Sequence, residues 1–369
     1  MKKKVVQLIH GLTMGGAETL VKEYCLKLDK EKYDVSVLCF YKYNSPYEKI
    51  LEENGIRITY IDDYTMRKKN GRVKNVISIL KRYCCVKKYF EDQKPDIIHS
   101  HLTLNNYVLF AKPKHGTRIV HTVHSEPSKL WNKKLSRRID FFAARKLAHK
   151  YHMQFITLHE NMRKEVNEIF GVKDSIVLNN GIDFKRFEEA LNKEEVRYKE
   201  NIPQDAYVIG HVGRFSPQKN HRLLVEAFEK IIQKKENAFL LFIGNGAIKN
   251  DIQQLLIDKG LNKRSLILSD RTDIPDLLSA MDIFALPSCH EGLGISLIEA
   301  QKMGLPCVVS DTIPEGAIIS NLVMKVSLHE PIEFWAEKLM NHKVTEIRYH
   351  GLKEWDMVYV INKLQEIYG

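Results

Sequence analysis

No run of 18 apolar residues occurs in this chain, so no segment reads as a membrane-spanning helix. The six cysteines, Cys25, Cys39, Cys84, Cys85, Cys289 and Cys307, never fall at C-x-x-C spacing and mostly sit inside apolar runs. That pattern argues against structural zinc and a disulfide framework and reads as reduced, small hydrophobic residues. The start, MKKKVVQLIHGL, is basic, but its apolar stretch breaks at His10 and Gly11 before a cleavable signal forms, so the chain is expected in the cytosol. Zinc-finger spacing, an RNA-recognition aromatic signature, short repeats and low-complexity linkers are all missing, and nucleic acid is not an expected partner. The first glycine turn also lacks the G-x-G-x-x-G dinucleotide fingerprint.

Acid is scarce in the first part of the chain. Residues 1–150 carry 31 Lys and Arg against 15 Asp and Glu, whereas the remainder carries 26 against 31. A basic half of this kind suits an anionic partner surface, although a well-solvated Lys-rich surface would give the same count. With 369 residues and 44% apolar content, the chain exceeds one ordinary core and two domains are expected.

Short apolar runs at 5–9, 35–40, 56–61, 97–100, 119–123 and 176–178 alternate with helical or basic stretches, which predicts a mostly parallel sheet covered by helices. After a charged connection near 185–203 the alternation resumes, with runs ending at Val212 and at 238–243, 266–268, 283–286 and 307–309. The expected domains are 1–190 and 191–345, followed by a helical segment, 346–369, that returns to the first domain.

In the first half, Gly15 and Gly16 form a turn between a strand and a helix. His124 follows the run 119–123 directly, at the strand end where open α/β folds bind ligands, so it is a candidate to contact substrate or share a proton. His99, His101 and His121 lie nearby and serve equally well as structural groups. The segment 129–150, KLWNKKLSRRIDFFAARKLAHK, reads either as a basic amphipathic helix for anionic lipid or as a core helix with a solvated basic face.

The densest chemistry lies in 283–310, IFALPSCHEGLGISLIEAQKMGLPCVVS. It reads as strand, glycine-broken loop, helix and strand. Gly292 and Gly294 let the loop bend and expose backbone N–H groups ahead of a helix N-terminus, where N–H groups and the helix dipole attract anions. Arg214 and Lys219, in GRFSPQKN between another strand and helix, supply the cations for a diphosphate clamp. Glu291 and Glu299 suit vicinal hydroxyls, because a carboxylate accepts two hydrogen bonds.

Taken together, GGAE (15–18), VHS (123–125), NGID (180–183), GRFSPQKN (213–220), IGNG (243–246) and the block 291–315 resemble glycosyltransferase family four, and within it bacterial capsular and exopolysaccharide enzymes. The resemblance implies a GT-B fold, α/β, with two Rossmann-like domains facing each other across a deep cleft. It implies a retaining hexosyltransferase that uses a nucleotide sugar, here expected to be a UDP-hexose, and builds capsule, exopolysaccharide or O-antigen on a lipid-linked acceptor. No cofactor and no metal are implied, in keeping with the missing D-x-D motif. By motif position, His124, Glu291, Arg214 and Lys219 are the catalytic candidates. Gly15, Gly16, Arg214, Lys219, Arg271, Glu291, Gly292, Leu293, Gly294, Ile295 and Glu299 are the candidates to bind the nucleotide sugar, with Glu299 on the ribose and the turn at Arg271 on the nucleobase. A peripheral position on the inner face of the plasma membrane, through the basic first domain, is also expected. The alternatives are a GT-B enzyme with a soluble acceptor or epimerase activity, and a non-catalytic basic binding protein.

Overall fold

The computed structural model describes residues 2–61, 72–131 and 134–369, with the main chain only at 72–78 and 129. Two compact units result, Met1–Gly181 with Met357–Gly369, and Ile182–Asp356.

The first unit holds β1 (Lys3–Ile9), β2 (Tyr33–Cys39), β3 (Arg57–Tyr60), β4 (Ile97–His101), β5 (Arg118–Val123), β6 (Gln154–Thr157) and β7 (Ile176–Val177), in the order β3-β2-β1-β4-β5-β6-β7. The second holds β8 (Tyr207–Val212), β9 (Ala238–Ile243), β10 (Ser265–Leu268), β11 (Ile283–Leu286), β12 (Cys307–Ser310) and β13 (Val323–Val326), in the order β10-β9-β8-β11-β12-β13. Every pairing in both sheets is parallel. Parallel strands covered by helices on both faces need apolar residues on both, which explains unbroken burial along β9 and β11. In each sheet the order reverses beside the first strand, between β1 and β4 and between β8 and β11, and loops leaving the carboxyl ends of such neighbours diverge to leave a crevice.

The last helix, Met357–Tyr368, belongs to the first unit. Its residues Met357, Val360, Ile361, Leu364, Ile367 and Tyr368 follow a helical period and pack with Val5, Tyr24, Ile97, Val120 and Ile156. The divide falls at Gly181 and Asp356, against an expected 190 and 345. Residues just past 181 are held by the second unit: Arg197, buried in helix Lys193–Lys199, donates to the Ala280 carbonyl, to Gln204 O at 2.7 Å and to Asp282 Oδ2 at 2.9 Å. Strands β6 and β13 do not stand out in the sequence, because QFIT and VMKV are short and carry polar residues among the apolar ones.

Candidate functional site

In the second unit, four loops leave the carboxyl ends of β10, β9, β8 and β11. The loop after β8 runs through the short helix Pro217–Lys219 into the helix His221–Ile231, and the loop after β11 leads into the helix Ile295–Lys302. These two loops are laced together. Cys289 N–H donates to Gln218 O at 2.7 Å, and the Gln218 amide donates to His290 O at 2.7 Å. Beside them, Lys219 Nζ meets Glu291 Oε1 at 2.6 Å with both side chains largely buried. The structure therefore joins the predicted cation and the predicted carboxylate across the point where strand order reverses.

Gly294 sits in the left-handed region at φ 87° as the N-cap of helix Ile295–Lys302, and no side chain caps that helix start. An L side chain is strained there, whereas glycine is not. No side chain takes up the first N–H groups of that helix, whose positive dipole end begins four residues past Glu291. Leu293 is buried, so only its backbone can meet a ligand, whereas Gly292, Ile295 and Glu299 are half-buried. Arg214 is exposed on the β8 loop. The lacing of the two loops, the orphaned buried hydroxyl of Ser288 and the Ser310 and Thr312 hydroxyls on the Ser288 carbonyl leave no trace in sequence, because their partners lie in distant segments.

The Gly244-Asn245-Gly246 turn after β9 backs the β8 loop. Phe215 N–H donates to Asn245 O at 2.9 Å, and a Cβ on Gly244 would lie 2.0 Å from Gly213 O. Arg271, one residue past Asp270, is committed to structure. Its Nε donates to Asp273 Oδ1 at 2.8 Å, and its two terminal nitrogens donate to both oxygens of Glu200 at 2.9 Å. These carboxylates hold its guanidinium well above its usual range. The Arg271 side chain is therefore occupied within its own unit, whereas Asp270 beside it is exposed.

In the first unit, His124 lies just past β5, half-buried, with Nε2 at 2.9 Å from His101 Nδ1 on the neighbouring strand β4. His99 and His101 alternate along β4, so both point to one face and stack at 4.3 Å. Burial pushes His124 down to about 3, and pushes His121 to about 3 with help from His124. Burial also lowers His99 and His101 well below the usual range. Gly15 caps helix Gly16–Lys27 with an ordinary φ of −101°. Glu18, in that helix's first turn, accepts from Thr13 Oγ1 at 2.9 Å.

These histidines, with His211 and His221 behind the β8 loop, also lowered chiefly by burial, set an acid limit on stability. A histidine whose folded value is depressed binds fewer protons folded than unfolded. Its contribution is fully present above about pH 6.5 and is lost as pH falls toward the folded value, about 3 for His121, His124 and His221. The urea midpoint is therefore expected to fall steadily from pH 6.5 to 4.5; a flat midpoint over that range would contradict neutral buried imidazoles.

Segment 129–150 forms helices Pro127–Leu130 and Leu135–Tyr151, with Asn132 and Lys133 outside the described residues. Of its apolar residues, Leu147 is buried, whereas Leu135, Ile139 and Phe142, at spacings of four and three, are 73%, 47% and 59% exposed. Arg138, Arg145 and Lys146 are exposed on the same helix. Its inner side packs on helix Asn105–Ala111, which exposes Phe110 and packs in turn on helix Arg72–Gln93, which exposes Ile79 and Leu80. No helix among the described residues is long and apolar enough to cross a membrane.

Comparison with known proteins fits both units. Residues 14–186 match the family described as Glycosyltransferase Family 4, and residues 192–341 match Glycosyl transferases group 1. The chain is 28% identical to the UDP-Gal:alpha-D-GlcNAc-diphosphoundecaprenol alpha-1,3-galactosyltransferase of Escherichia coli, over 98% of this chain and 95% of that one. It is 29% identical to the capsular polysaccharide biosynthesis glycosyltransferase CapM of Staphylococcus aureus, over 44% of each. Among solved structures, Anabaena Alr3699/HepE in complex with UDP-glucose superposes with a TM-score of 0.75 at 17% identity, covering 98% of both chains, which shows a shared GT-B fold.

Proposed function

Because the chain belongs to the family-4 glycosyltransferases, we propose that it moves a hexosyl unit from a nucleotide sugar, UDP-linked, to a hydroxyl of a lipid-linked glycan, with retention of configuration. The observation that carries this reading is the Lys219–Glu291 pair beside an uncapped helix start at the reversal point of the second sheet. A pyrophosphate ester needs positive charge and N–H donors on its phosphates, and its sugar needs a carboxylate acceptor. Here the ammonium and the carboxylate share one hydrogen bond, and an uncapped helix start follows four residues past Glu291. The galactosyltransferase relative, named for a UDP-sugar and a diphosphoundecaprenol acceptor, supports both ends of the reaction.

In this reading the bond between the anomeric carbon and the bridging phosphate oxygen breaks as the acceptor oxygen bonds to the same face. The acceptor proton passes to the departing phosphate oxygen. Arg214, Lys219 and the N–H groups of 292–295 take the charge that develops on the diphosphate, with no metal required. Glu291 and Glu299 hold sugar and ribose hydroxyls, the turn at 270–272 meets the base, and the Gly15–Gly16 turn and His124 serve the substrate from the first unit. The ammonium on Glu291 Oε1 counts against a covalent sugar ester there, because a neutralised carboxylate is a weaker nucleophile. The test is a panel of nucleotide hexoses with polyprenyl-diphosphate acceptors, with the product's anomeric configuration read by NMR. Inversion, or transfer only to soluble acceptors, would refute this reading.

The exposed Leu135, Ile139 and Phe142 among arginines and lysines support docking of this unit on an anionic bilayer, where apolar side chains enter the interface and cations meet headgroups. Replacing all three with serine is expected to abolish sedimentation with phosphatidylglycerol vesicles while leaving transfer to a detergent-dispersed acceptor intact. Undiminished sedimentation would assign the basic surface another role.

A further inference from the structure

His124 ends a line of hydrogen bonds that crosses the first sheet to the last helix of the chain. Gln7, buried on β1, donates through its amide nitrogen to Tyr368 Oη at 3.0 Å and places its amide oxygen 2.9 Å from His101 Nε2. An amide oxygen only accepts, so His101 carries its proton on Nε2. His101 is fully buried and, being neutral, has a bare Nδ1 that can only accept, and His124 Nε2 lies 2.9 Å away to donate to it. In the other direction, Tyr368 Oη accepts from Gln7 and gives its own proton to His99 Nδ1 at 2.8 Å. His99 Nε2 then donates to Thr122 Oγ1 at 2.7 Å. Each donor in the line has one acceptor, and turning the Gln7 amide over would reverse every bond at once.

We propose that Gln7, with its amide nitrogen on Tyr368 and its amide oxygen on His101, fixes His124 through His101 as the Nε2–H tautomer and leaves its Nδ1 as a hydrogen-bond acceptor for a substrate hydroxyl. Among the described residues that Nδ1 has no partner of its own. Gln7, His101 and Tyr368 are positioning residues, and the chain's last helix reaches the site through Tyr368, the one residue with a hydroxyl among its buried Met357, Val360, Ile361, Leu364, Ile367 and Tyr368. The role in turnover rests on the reading of His124 as a group that meets substrate, whereas the tautomer does not.

The experiment is nitrogen-15 NMR of histidine-labelled full-length protein at neutral pH, where protonated and bare ring nitrogens resonate far apart, with the His124 signal assigned by its loss in His124→Asn. In the wild type, His124 is expected to show a protonated Nε2 and a bare Nδ1. Gln7→Leu removes the link, and Tyr368→Phe removes one hydroxyl while keeping the packing. Both should move His124 toward a mixture of tautomers, with kcat down about tenfold and donor KM nearly unchanged. A wild-type His124 protonated on Nδ1, or a tautomer that neither variant alters, overturns the proposal. A shifted tautomer with unchanged kcat overturns the positioning role. Full activity in His124→Asn would instead strike the assignment of His124 to substrate and leave the tautomer result standing.

Discussion

Replacing Lys219 with methionine is expected to lower turnover by about 10²-fold or more, the usual cost of removing one preorganised charge from a developing anion. It should also destabilise the protein. Lys219 and Glu291 are 13% and 7% exposed, and removing one partner of such a pair leaves the other charge uncompensated, which costs about 3 kcal/mol. The double variant Lys219→Met/Glu291→Gln removes both charges, so the urea midpoint should return most of the way while turnover stays low. Arg214→Ala provides the contrast. Its side chain is exposed, so turnover should fall comparably while stability changes by less than about 0.5 kcal/mol. A double variant as unstable as the single one would mean that the ion pair is not what Lys219 contributes to the fold.

Gly244→Ala is expected to have an effect of similar size without touching a charge. The added methyl would lie 2.0 Å from Gly213 O, a backbone atom with no rotamer to change, and the φ of 151° at Gly244 already disfavours any side chain. The β8 loop must retreat, and it takes Arg214 and the base of Lys219 with it. Displacement of about 1 Å in a positioning loop can cost about 10²-fold in rate. The check is kcat together with far-ultraviolet circular dichroism: turnover should collapse with secondary structure retained. Normal turnover would show that the loop does not need its present position.

The fold was legible wherever a strand is a continuous apolar run. β1, β5, β9 and β11 were found because burial on both faces demands it. β6 and β13 were not, since edge and near-edge strands of four residues can carry Gln154 or Lys325 without loss. The site was legible as separate loops. Its pairings were not, because Lys219 and Glu291 stand 72 residues apart in the chain and Gln7 and Tyr368 stand 361 apart. No local pattern records such contacts. Arg271 shows the opposite limit: a basic residue past a strand resembles a ligand contact until Glu200 and Asp273 are seen to occupy its donors.

The clamp itself is tested most directly by calorimetric titration of UDP-hexoses into the wild-type protein and into Lys219→Met/Glu291→Gln. The account predicts saturable binding of at least one UDP-hexose by the wild type and weakening by about 3 kcal/mol in the double variant, the scale of one or two lost charge-assisted hydrogen bonds. Equal affinity in both proteins, or no nucleotide-sugar binding by the wild type, would contradict it.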